Sequence, residues 1–193
     1  MNNNNVENTK VTWLGRYWYI ALLGVGVVAF ILALVLINTT KSANVTTTDV
    51  DSKAMTFSLP IAEATITKGY NDKALQYNAT LNQWEVHKAI DFKAAVGADV
   101  CSVASGVVAD IYSNYLDGTV VVIKHDGGLS SKYASLDANV LVKVGDRVNG
   151  GQPIGKVAAT AKGEASDSAH LHFEMMENDK KIDPSAYLNI GSK

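Results

Sequence analysis

Hydrophobic and polar positions follow two rhythms along this chain. From Tyr17 to Ile37, "YWYIALLGVGVVAFILALVLI", 21 consecutive residues carry no charge. At roughly 1.5 Å per helical residue such a run spans about 30 Å, the hydrocarbon thickness of a bilayer. Trp13, Tyr17, Trp18 and Tyr19 crowd its N-terminal end as an interfacial aromatic belt does. The polar stripe of a globular core helix is missing. A cleaved signal peptide wants a shorter apolar region followed by small residues, whereas this run ends Val35-Leu36-Ile37-Asn38. The expectation is a single uncleaved transmembrane helix over 17–37. Residues 1–16 form a short cytoplasmic tail, and the large C-terminal domain lies outside. Lys10 and Arg16 before the span and Lys41 and Lys53 after it bias this orientation only slightly.

Beyond the span the texture changes. Residues 38–56 are rich in Thr, Ser, Asn and Asp and read as a polar linker. From residue 57 to about 190, short runs rich in Val, Ile, Tyr and Phe alternate with Gly, Asn and Asp. "GVVADIY" (106–112), "TVVVIKH" (119–125), "LSSKYASL" (129–136) and "HLHFEMME" (170–177) are each strand-sized. "VKVGDRVNGGQPIGKV" (142–157) adds two turn-rich corners flanked by Val. No stretch after residue 57 keeps a helical apolar period. The pattern predicts an all-β, antiparallel domain, a sandwich or a barrel.

Composition removes some functions. A net charge of −2 over 193 residues gives no basic field, so nucleic acid is not an expected partner. Cys101 is the only cysteine, which excludes an internal disulfide. Asn-x-Thr triplets at Asn38, Asn44 and Asn78 match glycosylation acceptors, but a chain so rich in Asn and Thr produces them by chance.

The chemistry concentrates in "HLHFEMME". Read as a strand, it puts His170, His172 and Glu174 on one face and Leu171, Phe173 and Met175 on the other. Two imidazoles about 7 Å apart do not easily share one ion from a straight strand, so one ligates while the other works beside it. "HKAIDF" (87–92) offers a second histidine and a carboxylate. Fully extended, His87 and Asp91 stand about 13 Å apart; a turn or bent strand brings them together. His87, Asp91 and His172 then make a two-histidine, one-carboxylate set with an open fourth position, as in catalytic zinc sites. On spacing alone these histidines divide evenly between ligands and ordinary satisfied residues. His125, in "KHDGG", reads as a strand-end residue before a turn.

"HKAIDFKAAVGADVCSVASGVVADI", "YASL", "VKVGDRVNGGQPIGKV" and "SAHLHFE" stand in the order and spacing of a known family. In these the chain resembles the lysostaphin-like zinc endopeptidase domains, the LytM or peptidase M23 family. The resemblance implies a duplicated-hybrid-like antiparallel β fold with a groove, and Zn2+ held by His87, Asp91 and His172. It also implies a catalytic role for His170 in active members. One position departs: those members carry a second catalytic histidine in "Y-x-H-L", where this chain has Tyr133-Ala134-Ser135-Leu136. A serine hydroxyl carries no positive charge and cannot act as an imidazolium.

Ser135, the single anchor, the spacer and "LQYNATLNQWEVHKAIDF" further resemble a sporulation branch of that family. This likeness implies a forespore-membrane protein facing the space between forespore and mother cell. There it would dock a mother-cell membrane protein of the stage III sporulation protein AH kind. The pair would form an intermembrane channel needed for engulfment and forespore development. The expected function is thus a zinc-binding, catalytically idle docking domain. The rival is an active zinc-dependent endopeptidase with peptidoglycan as its partner. A lipoyl- or biotinyl-carrier reading of "VGDRVNGGQPIG" fails for want of a modifiable lysine at a hairpin tip.

Overall fold

The computed structural model describes residues 20, 22–33, 55–63, 65–188 and 190. Two units are separated along the chain, Met1–Lys53 and Ala54–Lys193. In the first, residues 20 and 22–33 are helical. No helix among the described residues is long and apolar enough to cross a membrane. Residues 17–19, 21 and 34–37 of the expected span lie outside the described residues, as do 1–16 and 38–54.

The described residues of the second unit form strands and two single-turn 3-10 helices. The strands are β1 (Thr65–Lys68), β2 (Asn71–Asn78), β3 (Gln83–His87), β4 (Ile90–Lys93), β5 (Asp99–Cys101) and β6 (Gly106–Asn114). They continue with β7 (Gly118–Lys124), β8 (Leu129–Leu136), β9 (Arg147–Val148), β10 (Pro153–Lys156), β11 (His170–Glu177) and β12 (Lys180–Ile182). The main sheet runs β1-β4-β11-β8-β7-β6-β9, with β12 also on β11, and every pairing is antiparallel. β5–β10 and β2–β3 form two small ribbons. The antiparallel all-β expectation therefore holds. A closed barrel does not form, because the sheet ends at β1 and β9, and a two-residue edge strand offers little further pairing.

Period-two alternation sets what the sheet buries. Leu171, Phe173 and Met175 of β11 are fully enclosed, with Ile90 and Phe92 of β4 and Val121 and Ile123 of β7 in the same core. The rings of Phe92 and Tyr133 meet Phe173 edge-on at 6.2 and 5.3 Å between centroids. The opposite face of β4 and β11 is left for polar side chains.

At the β6–β7 turn Gly118 has φ +69°, and a Cβ there would overlap Thr160 Oγ1. Only glycine lets the segment after β10 lie across this turn.

His125 is indeed at a strand end, and it is built into the core. Its Nδ1 meets the Ser105 carbonyl at 2.9 Å and its Nε2 the Ser131 hydroxyl at 2.7 Å. Ser131 lies 3.0 Å from the Tyr133 hydroxyl, which accepts the Val103 N–H at 2.8 Å. Burial pushes the Tyr133 phenol up to about 12, so it stays protonated within this network. Tyr133→Phe would leave the Val103 N–H without an acceptor in a dry core. The expected cost is about 1–3 kcal/mol by urea denaturation, and an unchanged midpoint would show that the network carries no stability.

Candidate metal centre

The register of β4 against β11 places Asp91 directly opposite His172. Each lies on the polar side of its strand, so the two face each other across the ladder. His87 ends β3, and Lys88 and Ala89 break the chain before β4 begins. That break replaces the extended spacing of about 13 Å with a close approach: His87 Nε2 lies 3.3 Å from Asp91 Oδ2. His172 Nδ1 lies 3.0 Å from Asp91 Oδ1. The three residues singled out from the sequence thus come together at one point.

A fourth group joins them that the sequence reading did not include. Glu164, in the segment between β10 and β11, brings Oε2 to 3.0 Å from His172 Nδ1 and Oε1 to 3.7 Å from His87 Nε2. One donor atom each from His87, Asp91, Glu164 and His172 falls within 4.8 Å of the others. Apart from its place six residues before His170, nothing in the sequence marked Glu164.

His87 Nε2, His172 Nδ1 and both Asp91 oxygens are buried without a hydrogen-bond partner. They lie at ion-pair distance but are not aligned as donors and acceptors, as groups aimed at a common centre would be. The outward nitrogens, in contrast, are committed. His87 Nδ1–H donates to the Gly69 carbonyl at 3.2 Å, and His172 Nε2–H to Glu174 Oε1 at 3.3 Å. Both partners only accept, so each ring keeps a proton on its far side and turns the other nitrogen inward. Glu174 is itself fixed by Lys132 at 3.1 Å and Lys181 at 2.6 Å. Two imidazole nitrogens with carboxylate oxygens in a buried pocket fit zinc.

The electrostatics agree. Burial would lower the His172 imidazole, but Asp91 and Glu164 hold it well above its ordinary value. Burial would raise the carboxyls of Asp91 and Glu164, yet the facing histidines hold both below the carboxylate range. In the metal-free protein protons offset the clustered negative charge; a dication can take that role.

His170 sits beside the cluster, almost fully buried. Its Nδ1–H donates to the Ser168 carbonyl at 2.8 Å, and its Nε2 faces Glu164 Oε2 at 3.2 Å. Ser135 has φ +63°, is 2% exposed and donates its hydroxyl to the Ala158 carbonyl at 2.9 Å. A cleft of about 430 Å³ opens onto the cluster, lined by His87, Glu164, His172, Lys132, Asp117 and Glu174 among others. Ser135 is not among its lining residues.

The model for peptidase family M23 matches residues 85–184, a span containing all four clustered residues. Stage II sporulation protein Q of Bacillus subtilis is 32% identical over 149 residues, 76% of this chain and 51% of that protein. The peptidoglycan DD-endopeptidase ShyC of Vibrio cholerae is 30% identical over 119 residues, 62% of this chain. The chain spans 26% of the length of that enzyme. Among solved structures, the SpoIIQ–SpoIIIAH pore-forming complex contains a chain superposing with a TM-score of 0.60 at 28% identity. That match covers 69% of this chain and 91% of the other.

Proposed function

The chain belongs to peptidase family M23, and from that membership we propose that it is a membrane-anchored, zinc-binding domain that docks a partner and does not cut peptidoglycan. The anchor is the charge-free span 17–37, with 1–16 inside, 38–56 as the spacer and 57–190 as the extracytoplasmic domain. The metal ligands in this reading are His87, Asp91 and His172, and their unpartnered, converging atoms support it. Bound zinc would supply Lewis-acid polarisation of a carbonyl or a water.

The observation that carries the idle reading is Ser135. Its hydroxyl is spent on the Ala158 carbonyl and it does not line the cleft. No imidazole stands at that position to stabilise developing negative charge. The active-endopeptidase reading is favoured by His170 beside the cluster and by the ShyC likeness; Ser135 weighs against it.

The partner is a SpoIIIAH-like protein anchored in the mother-cell membrane, and the pair joins the two membranes in a channel serving engulfment. The support is the likeness to stage II sporulation protein Q over three quarters of this chain and the likeness to a chain of the SpoIIQ–SpoIIIAH complex. The sheet offers the edge strand β1, to which a strand of a partner can add by main-chain hydrogen bonds. Residues 54–193 mixed with the extracytoplasmic part of the SpoIIIAH-like protein from the same cell are expected to co-elute at micromolar concentration. Two folded, zinc-supplied domains that elute separately would overturn the docking reading.

A further inference from the structure

Glu164 is held in the cleft from both sides. The Gly163 N–H donates to the Leu116 carbonyl at 3.0 Å, and the Gly163 carbonyl accepts from Asn78 Nδ2 at 3.1 Å. A Cβ at Gly163 would stand 3.2 Å from the Leu116 carbonyl oxygen, a tight contact that glycine avoids. Beyond it, the Ser166 N–H donates to Thr80 Oγ1 at 2.9 Å, and Asp167 takes Lys68 Nζ at 2.6 Å. The β2–β3 ribbon and the β6–β7 turn thus clamp the segment on either side of one side chain. That side chain is mostly buried, its carboxylate within 3.0 Å of His172 Nδ1, an atom that lacks a hydrogen-bond partner. Its carboxylate also meets His170 Nε2 at 3.2 Å, His87 Nε2 at 3.7 Å and, at the rim, Lys68 Nζ at 3.8 Å. The second ring proton of His170 is fixed by Ser168.

We propose that Glu164 is the fourth protein ligand of the metal, filling the position a peptidase leaves open to water, and that His170 positions Glu164. This rests on the zinc reading above. Three protein ligands and an open place define a catalytic zinc site; four make a closed, structural one. Two mostly buried carboxylates, Asp91 and Glu164, face the same histidines. Lys68 stands 3.8 Å from Glu164 at the rim and is itself taken by Asp167. The histidines supply only protons until a metal arrives, so the paired charge calls for a further cation at their centre. The outer partner of a ligating carboxylate keeps it oriented, which is the role the His170 contact fits.

The test uses the whole 193-residue chain purified in detergent, loaded with zinc or with cobalt as a spectroscopic substitute. Glu164→Ala and the near-isosteric Glu164→Gln are each expected to weaken zinc binding by about tenfold or more in competition with a chelator. Added azide should change the visible spectrum of the cobalt-loaded Glu164→Ala protein and leave that of the unaltered protein unchanged. His170→Ala should weaken zinc binding when Glu164 is present and have no further effect in the Glu164→Ala background, the coupling expected of a positioning residue. Circular dichroism of the metal-free forms confirms that each variant folds, and Glu164→Gln serves if Glu164→Ala does not. Zinc affinity within about threefold of the unaltered protein in a folded Glu164 variant would overturn the proposal. So would an azide response in the unaltered protein. His87→Ala separates the two layers. If it keeps its zinc, the metal reading fails; if it loses zinc while the Glu164 variants do not, only the fourth-ligand proposal fails.

Discussion

Stripping the metal from this domain is expected to lower its melting temperature by roughly 8–16 °C. A ligand that binds only the folded state stabilises it by RT ln(1 + [L]/Kd), about 4 kcal/mol when free zinc is a thousand times Kd. At roughly 2–4 °C per kcal/mol for a domain of this size, that amounts to the stated shift. His87→Ala, Asp91→Ala and His172→Ala should each melt near the stripped protein and show no further loss on chelation, because the converging atoms are gone. Acid should reduce the zinc-dependent increment. His172 is held protonated above its ordinary value by Asp91 and Glu164, so uptake of zinc must displace a proton. Affinity should therefore weaken by about tenfold per pH unit below that raised value. Scanning calorimetry with and without chelator, at two pH values, checks all of this. A wild-type melt that neither chelation nor added zinc moves would end the metal reading.

The fold was legible where one periodicity ran long enough. β8 and β11 match the strands read at 129–136 and 170–177. In β11 Leu171, Phe173 and Met175 alternate against His170, His172 and Glu174, and β8 carries Tyr133 and Leu136 into the same core. The two-to-four-residue strands β1, β5, β9 and β12 escaped, since a run that short carries no period of its own. In the site, His170 and His172 announced themselves by spacing. Their convergence with His87 and Asp91 required the chain break at Lys88-Ala89 and the β4–β11 register, which are tertiary facts. Glu164 had no such signal. It sits in a loop of Gly, Ala and Ser, and its place is set by contacts to Asn78, Thr80 and Leu116, more than 40 residues upstream. Local rules see neighbours along the chain; a loop pinned by distant elements lies outside their reach. The charge-free run Tyr17–Ile37 is the opposite case, plain in composition and lying partly outside the described residues.

Incubated with peptidoglycan, the zinc-loaded chain is expected to turn over at least about 10³-fold more slowly than an active M23 domain. A positioned acid–base group contributes about 10²–10⁴-fold and an oxyanion donor about 10²–10³-fold. Ser135 offers neither, since its hydroxyl is given to Ala158 and it does not line the cleft over the cluster. Lys132 lines the cleft, but Asp117 at 3.0 Å and Glu174 at 3.1 Å both hold it, so it has no freedom to serve a substrate oxygen. His170 is turned toward Glu164. Ser135→His is the informative variant. Residue 135 has φ +63°, a left-handed conformation that histidine tolerates better than most residues. The change forfeits the Ala158 hydrogen bond, at a cost of about 1 kcal/mol. With Glu164 still in the metal's fourth position, Ser135→His alone should stay near background. Combined with Glu164→Ala it should release soluble fragments at least about tenfold faster than either single variant, because an imidazole and an open metal position are then both present. Cleavage by the unaltered chain that His170→Ala abolishes would refute the idle site outright. A double variant as slow as its parents would show that the groove, and not only its catalytic groups, has lost its fit to the cell wall.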